Sequence, residues 1–141
     1  YLVRDKFSNS YVLESDLYLY NQDLIRKYEY HSNFLGFKVD RTDDWCLETK
    51  NGIITKEKVG GLDCYQMCGI SYYDKETGKQ MEKDIKEVFM SPGGKERYWE
   101  QVMLDIRKNN YKIYLRECKK EDIIEIDTFN ELKAIDKTYD V

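Results

Sequence analysis

The chain has 141 residues, the size of one ordinary domain, which is long enough to bury a core without disulfide staples. An apolar content of 41% and 13 tyrosines exclude intrinsic disorder, which requires few aromatic residues. The formal net charge of −4, from 23 basic and 27 acidic residues, does not suit a protein that binds a nucleic-acid polymer through a concentrated basic face. It is compatible with a small anionic substrate that is held locally by a metal ion and by Lys or Arg.

The four cysteines do not have the spacing of a zinc site. Cys64 and Cys68 are separated by three residues rather than two, and His31 is the only histidine. We therefore predict small buried side chains in a reducing, cytoplasmic compartment. No stretch reaches the roughly 18 apolar residues of a membrane span. Because the chain begins at Tyr1 and not at Met, we expect it to begin inside a longer protein.

Apolar periodicity predicts strands that alternate with helices. Asn51-Gly52 predicts a tight hairpin, because these residues accept positive φ at both turn positions. The predicted strands are 11–13, 34–39, 45–49, 53–59, 68–73, 111–117 and 123–126. Four helices are predicted. The first begins near Asn21, the second carries the apolar stripe 81–89, and the third follows Ser91-Pro92. The fourth begins at Thr128, which forms a capping box with Glu131. This order predicts an α/β fold with a mixed sheet and flanking helices.

Acidic residues lie at the ends of two predicted strands. Asp16 follows the first strand, and Glu125 and Asp127 lie at the end of the last one. Side chains at positions i and i+2 of a strand point to the same side, so Glu125 and Asp127 share a face. Carboxylates beyond strand ends suit Mg²⁺, and the sequence predicts that these three acids meet around it. Two alternatives stay open: Asp127 caps the last helix, or Glu14 and Glu125 are solvated edge charges.

Aromatic residues next to single acids form a second constellation. Tyr98, Trp99 and Glu100 are consecutive, and Trp45 follows two aspartates. Aromatic faces with a carboxylate suit a cationic headgroup through cation–π contact and charge pairing. Trp99 lies on the apolar stripe of its helix, which favours a core position for it. For Trp45 and Tyr98 a core position and a binding role are equally favoured.

Several segments in the same order resemble one enzyme family. They are SYVLESD at 10–16, DW at 44–45, GISYY at 69–73, YWE at 98–100, and the stretch 114–127 that ends in IEID. Together they resemble the later part of the bacterial phosphocholine cytidylyltransferases, in the sugar-phosphate nucleotidyltransferase superfamily. The resemblance covers nearly the whole chain and implies a Rossmann-like, glycosyltransferase-A-type fold.

The resemblance implies a reaction in which CTP and phosphocholine give CDP-choline and pyrophosphate. By position, Asp16 and Asp127 would hold the catalytic Mg²⁺, with Glu125 beside them. Choline would lie against aromatic and acidic side chains, for which Trp45, Tyr98 and Glu100 are the candidates by a looser match.

Two departures from the family pattern matter. The metal stretch of the family often reads Asp-x-Asp, whereas Glu14-Ser15-Asp16 stands here, and we do not expect Glu14 to be a ligand. The family also begins with a G-x-G loop followed by Arg and Lys, which is not found in this sequence. We therefore expect a carboxyl-terminal portion that binds metal and acceptor, that is inactive as an isolated chain, and whose partner is the N-terminal half of the same protein. A homodimer stays open.

Two other functions compete with this one. A sugar-1-phosphate nucleotidyltransferase would keep the metal and change the acceptor, although the aromatic-acidic constellation favours a cation. A non-catalytic α/β interaction module would use Asp16 and Asp127 only as surface or capping groups.

Overall fold

A computed structural model describes residues 1–140, which form a four-stranded and a two-stranded sheet with helices on the larger one. The strands are β1 Ser10–Leu13, β2 Leu17–Leu19, β3 Asn33–Lys50, β4 Ile53–Tyr73, β5 Tyr114–Glu117 and β6 Ile123–Glu125. The helices are α1 Lys75–Met90, α2 Trp99–Gln101, which continues as a π turn over Val102–Ile106, and α3 Phe129–Ile135. The larger sheet has the order β1-β4-β3-β5, and β2 pairs with β6. Because β3 runs antiparallel to β4 and parallel to β5, the sheet is mixed, and the predicted α/β class is confirmed.

The long strands β3 and β4 are joined by the predicted hairpin. Asn51 has φ 53° and Gly52 has φ 75°, which are the positive values that this tight turn requires. Beyond the turn the two strands bend, and Cys46 and Leu47 of β3 pair with two separate parts of β4. The bend places Trp45 of β3 close to Tyr98, which immediately precedes α2.

Adjacent residues of β3 point to opposite faces of the sheet and join two separate cores. Phe34 packs with Met81, Ile85 and Val88 of α1, so the predicted apolar stripe of this helix is confirmed. Leu35 packs in a smaller core with residues that include Ile123. All four cysteines are buried and free, as predicted.

The helix predicted from Asn21 is wrong, because only a 3₁₀ turn, Gln22–Leu24, forms there. Side chains from distant strands take the backbone groups that a helix would use. The Leu24 carbonyl accepts from the Arg116 guanidinium, and the Arg26 N–H donates to the Tyr11 hydroxyl over 3.1 Å.

The helix predicted after Ser91-Pro92 is also wrong in its start. Ser91 instead ends α1, and its hydroxyl donates to the Val88 carbonyl over 2.6 Å. Gly93 then turns the chain with φ 73°, and α2 begins at Trp99.

Two further predictions are settled at the chain ends. Thr128 caps α3, and Glu131 completes the capping box by accepting from the Thr128 N–H over 2.8 Å, as predicted. The apolar run at 11–13 predicts a buried strand, but β1 is only half-buried. No helix within residues 1–140 is long and apolar enough to span a membrane.

Candidate active site

The pairing of β2 with β6 brings the predicted acids together. Leu17 pairs with Glu125, and the Ile126 N–H donates to the Asp16 carbonyl over 2.9 Å. The segment 14–16 leaves the larger sheet where β1 ends and enters the smaller one where β2 begins. The acids therefore lie where the two sheets join.

Three carboxylates form a cluster at this junction. Glu14, Asp16 and Glu125 each offer an oxygen atom, and these atoms lie within 4.8 Å of one another. None of the three forms an ion pair with a Lys or Arg among residues 1–140. A set of carboxylate oxygens without a cationic side chain suits a hard divalent cation such as Mg²⁺.

Burial and mutual repulsion raise the pKa values of two of these acids. Burial, followed by the charges of Asp127, Glu14, Asp16 and Asp44 in that order, raises the pKa of Glu125 to about 7. Burial followed by the charges of Asp16, Asp44 and Asp127 also raises the pKa of Glu14. A bound cation would offset this repulsion and favour the ionised carboxylates.

A cleft of about 360 Å³ contains the acid cluster and an aromatic wall. It is lined by Glu14, Asp16, Asp44, Trp45, Met67, Gly69, Tyr98, Trp99, Glu100 and Glu125. Trp45 and Tyr98 meet edge to face, with ring centroids 6.1 Å apart. The cleft therefore combines carboxylates at its junction end with aromatic rings.

Trp99 and Glu100 connect this cleft to the protein interior. Trp99 stacks on Phe34 with centroids 6.0 Å apart and packs edge-on to Tyr73, so its predicted core position is confirmed although it also lines the cleft. Glu100 is only 8% exposed. Burial, with a smaller contribution from the charge of Glu14, outweighs a hydrogen bond with its own backbone and raises its pKa to about 7.

Of the six predicted site residues, five line one cleft. Asp16, Glu125, Trp45, Tyr98 and Glu100 are brought together. Asp127 is exposed and lies outside the three-carboxylate cluster, although its charge acts on Glu14 and Glu125. Thr128, not Asp127, is the N-cap of α3, so the capping alternative for Asp127 is wrong.

Sequence reasoning did not assign Glu14, Asp44 or Gly69 to the site. Glu14 lies two residues before Asp16, and that spacing was the available signal. Asp44 accepts from the Trp45 N–H and, over 3.2 Å, from the Gln66 side chain, which hold its carboxylate beside the aromatic wall. Gly69 carried no signal in the sequence, because its contact with Glu14 crosses from β4 to the end of β1.

Comparison with solved structures identifies the fold as that of a nucleotidyltransferase. The chain superposes on the CTP:phosphocholine cytidylyltransferase of Streptococcus pneumoniae with a TM-score of 0.82 and 22% identity, covering 97% of this chain and 60% of that one. The likeness shows a Rossmann-like nucleotidyltransferase fold and confirms that part of the prediction.

Curated relatives carry the comparison to the level of sequence. The choline-phosphate cytidylyltransferase of Streptococcus pneumoniae is 25% identical over 142 residues, or 97% of this chain and 60% of the relative. The 2-aminoethylphosphonate cytidylyltransferase of Lancefieldella rimae is 24% identical over 136 residues, or 92% of this chain and 53% of the relative. No family model matches the chain. The predicted resemblance to cytidylyltransferases is thus confirmed, and the chain spans somewhat more than half the length of these relatives.

Proposed function

We propose that the protein containing this chain transfers a cytidylyl group from CTP to phosphocholine, with this chain supplying the metal and acceptor part of the site. One observation carries the proposal: the carboxylate cluster and the aromatic-acidic wall line the same cleft. A phosphate donor needs charge neutralisation, and a choline headgroup needs aromatic faces with a nearby acid. The named relatives support the cytidylyl donor.

The reaction forms one phosphorus–oxygen bond and breaks another. A phosphate oxygen of phosphocholine attacks the α-phosphorus of CTP, and the bond from that phosphorus to the bridging oxygen of the leaving pyrophosphate breaks. Asp16 and Glu125, with Asp127 beside them, would hold Mg²⁺, which supplies neutralisation of the phosphate charges when bound. Trp45, Tyr98 and Glu100 would fix the trimethylammonium end and so orient the attacking oxygen.

The test compares acceptors with the full-length gene product. We expect CTP- and Mg²⁺-dependent pyrophosphate release with phosphocholine, and at least about tenfold lower kcat/KM with glucose 1-phosphate, because a neutral sugar forms no cation–π contact. Trp45→Leu should lower kcat/KM for phosphocholine and leave the KM for CTP unchanged. Higher turnover with the sugar phosphate would assign the alternative acceptor class.

A comparison with 2-aminoethylphosphonate defines the acceptor further. A primary ammonium pairs with carboxylates more strongly than with aromatic rings, so Glu100→Gln should reduce turnover of 2-aminoethylphosphonate more than Trp45→Leu does. The reverse order should hold for phosphocholine. If Trp45→Leu and Glu100→Gln each turn over every acceptor as fast as the native protein does, a headgroup site in this cleft is refuted.

We also propose that residues 1–141 alone lack this activity, because the sequence has no G-x-G loop followed by Arg and Lys to hold the triphosphate. The purified chain should bind phosphocholine in calorimetry without making CDP-choline. Formation of CDP-choline by this chain would refute the proposal.

Asp16→Asn and Asp127→Asn in the full-length protein test the interaction-module alternative, which predicts unchanged Mg²⁺ binding and turnover.

A further inference from the structure

Glu14 lies directly over a glycine of the neighbouring strand. β1 pairs with β4 up to Leu13 opposite Ile70, and one residue further the Glu14 N–H donates to the Gly69 carbonyl over 3.0 Å. Gly69 has φ 62°, a backbone conformation that favours glycine. The backbone of Glu14 is therefore fixed to Gly69 where the two strands separate.

The side chain of Glu14 occupies the space that a larger residue at position 69 would fill. A Cβ atom built on Gly69 would lie 2.3 Å from Oε2 of Glu14 and 2.7 Å from its Cδ. Real Cβ atoms do not approach other atoms so closely, so any side chain here displaces the carboxylate. The missing side chain of Gly69 thus permits this one position of Glu14.

In this position the carboxylate faces two other acids and no cation. Its oxygen lies within 4.8 Å of oxygens of Asp16 and Glu125. Within residues 1–140 Glu14 has neither an ion pair nor a side-chain hydrogen bond. Holding three unpaired carboxylates together costs free energy unless a cation joins them.

An independent observation in the same cleft also points to a cation. Glu100 is 8% exposed, lines the cleft, and has no side-chain hydrogen bond or ion pair to another residue in the described part of the chain. Buried carboxylates are normally paired or bound to metals. The cleft therefore presents both a buried acid and an acid cluster that lack cationic partners.

From this geometry we infer that Glu14 is a ligand of the divalent cation together with Asp16 and Glu125, and that Gly69 is the residue that positions it. The inference rests on the proposed function, since it specifies the metal site of that reaction. It reverses the expectation from the sequence that Glu14 is not a ligand. Four acids, with Asp127 at the margin, would then surround the cation.

The test is a titration of the full-length protein with Mn²⁺, in which electron paramagnetic resonance measures Mn²⁺ binding. This measurement does not depend on turnover. We expect Glu14→Gln and Gly69→Ala each to weaken Mn²⁺ binding about tenfold or more. Because both act through one carboxylate, the double variant should bind no more weakly than Glu14→Gln alone. If Gly69→Ala weakens Mn²⁺ binding equally in the native protein and in the Glu14→Gln variant, the positioning role of Gly69 is overturned.

A matched control separates backbone strain from loss of the ligand. Gly52 has φ 75°, and a Cβ there would meet nothing within 4 Å, so Gly52→Ala carries similar backbone strain without displacing a carboxylate. Its Mn²⁺ affinity should equal that of the native protein. If Gly69→Ala does not fold, as judged by circular dichroism, Glu14→Gln still decides the ligand, since it keeps the size of the side chain.

A third variant separates this inference from the proposed function. Asp16→Asn should weaken Mn²⁺ binding if the cluster holds metal at all. Loss of binding in Asp16→Asn with native binding in Glu14→Gln would overturn only the role of Glu14. Native binding in both variants would overturn the metal site itself.

Discussion

At the scale of single residues, Glu57 is a carboxyl group in a costly position. Both of its oxygens are buried and have no hydrogen-bond partner within residues 1–140. Burial, followed by the charges of Glu100 and Asp105, raises its pKa to about 8. The group is therefore protonated in the folded protein at neutral pH and ionised in the unfolded chain.

This difference in protonation predicts a pH dependence of stability. A folded pKa above the unfolded value means that the native state binds more protons between about pH 4.5 and pH 8, so its stability falls as pH rises through that window. Glu57→Gln should flatten this decline and should be more stable than the native protein by about 1 kcal/mol at pH 8.5. Urea unfolding at pH 5.5, 7 and 8.5 measures the effect.

The control for this prediction is an exposed acid on α1. Glu82→Gln should leave the pH profile of the native protein unchanged. A smaller decline should persist in Glu57→Gln, because burial also raises the pKa of Glu100 to about 7. Parallel profiles for native protein and Glu57→Gln would contradict the assignment.

Which site residues the sequence predicts depends on how local their signal is. Asp16 and Glu125 were predicted because each adjoins an apolar strand, a pattern that is complete within a few residues. Gly69 could not be predicted, because the need for glycine comes from a side chain 69 − 14 = 55 residues away. For Trp45 the sequence favoured a core position and a binding role equally, because its contact with Tyr98 depends on the bend of β3.

At the scale of elements, the segment between β2 and β3 is held by a buried ion pair and not by regular structure. The side chains of Arg116 and Glu29 are only 11% and 5% exposed and form an ion pair. Arg116 also donates to the Leu24 carbonyl, and the Tyr11 hydroxyl donates to Glu29. Residues from β1 and β5 thus fix a segment that has little core of its own.

Removing one partner of this pair should therefore be strongly destabilising. Arg116→Met leaves the Glu29 carboxylate buried without its cation, and we expect a loss of about 3 kcal/mol in the free energy of unfolding. Urea denaturation at pH 7 measures it. The matched control is Arg107→Met, whose pair with Glu87 is nearly half exposed on both sides and should cost less than about 1 kcal/mol. Equal losses in the two variants would contradict the role of the Arg116 pair.

The same segment explains which elements could be predicted. The hairpin at Asn51-Gly52 and the helix α1 depend on turn chemistry and on a stripe of nearby residues, and both were predicted. The helix expected at Asn21 satisfies the same local rules, but Arg116 binds the Leu24 carbonyl from a distant strand. Local propensity is a weak guide where tertiary hydrogen bonds compete for the backbone.

At the scale of the whole molecule, the acidic balance of the chain is partly concentrated where two sheets meet. Glu14, Asp16, Asp44, Glu100 and Glu125 all line one cleft, so their repulsion opposes the joining of the small sheet to the large one. A cation bound there would oppose this repulsion and would bind the folded chain but not the unfolded one. The global stability should therefore depend on divalent cations.

This dependence can be separated from general salt effects. Mg²⁺ at about 100 times its dissociation constant should raise the free energy of unfolding by about 2.7 kcal/mol, whereas NaCl of equal ionic strength should not. Asp16→Asn should lose most of this gain, and without Mg²⁺ it should be at least as stable as the native protein, because one repelling charge is gone. Thermal and urea unfolding with and without Mg²⁺ give the four values.

The decisive result is the order of stability of the two proteins with and without Mg²⁺. A ligand carboxylate destabilises the metal-free fold and stabilises the metal-bound one, so the order of stability of native protein and Asp16→Asn should reverse when Mg²⁺ is added. An acid that is only a solvated surface charge would leave the order of stability the same with and without Mg²⁺. Glu82→Gln, on the exposed side of α1, should show that unchanged order. If Asp16→Asn behaves like Glu82→Gln, the junction of the two sheets is held by its backbone pairing alone.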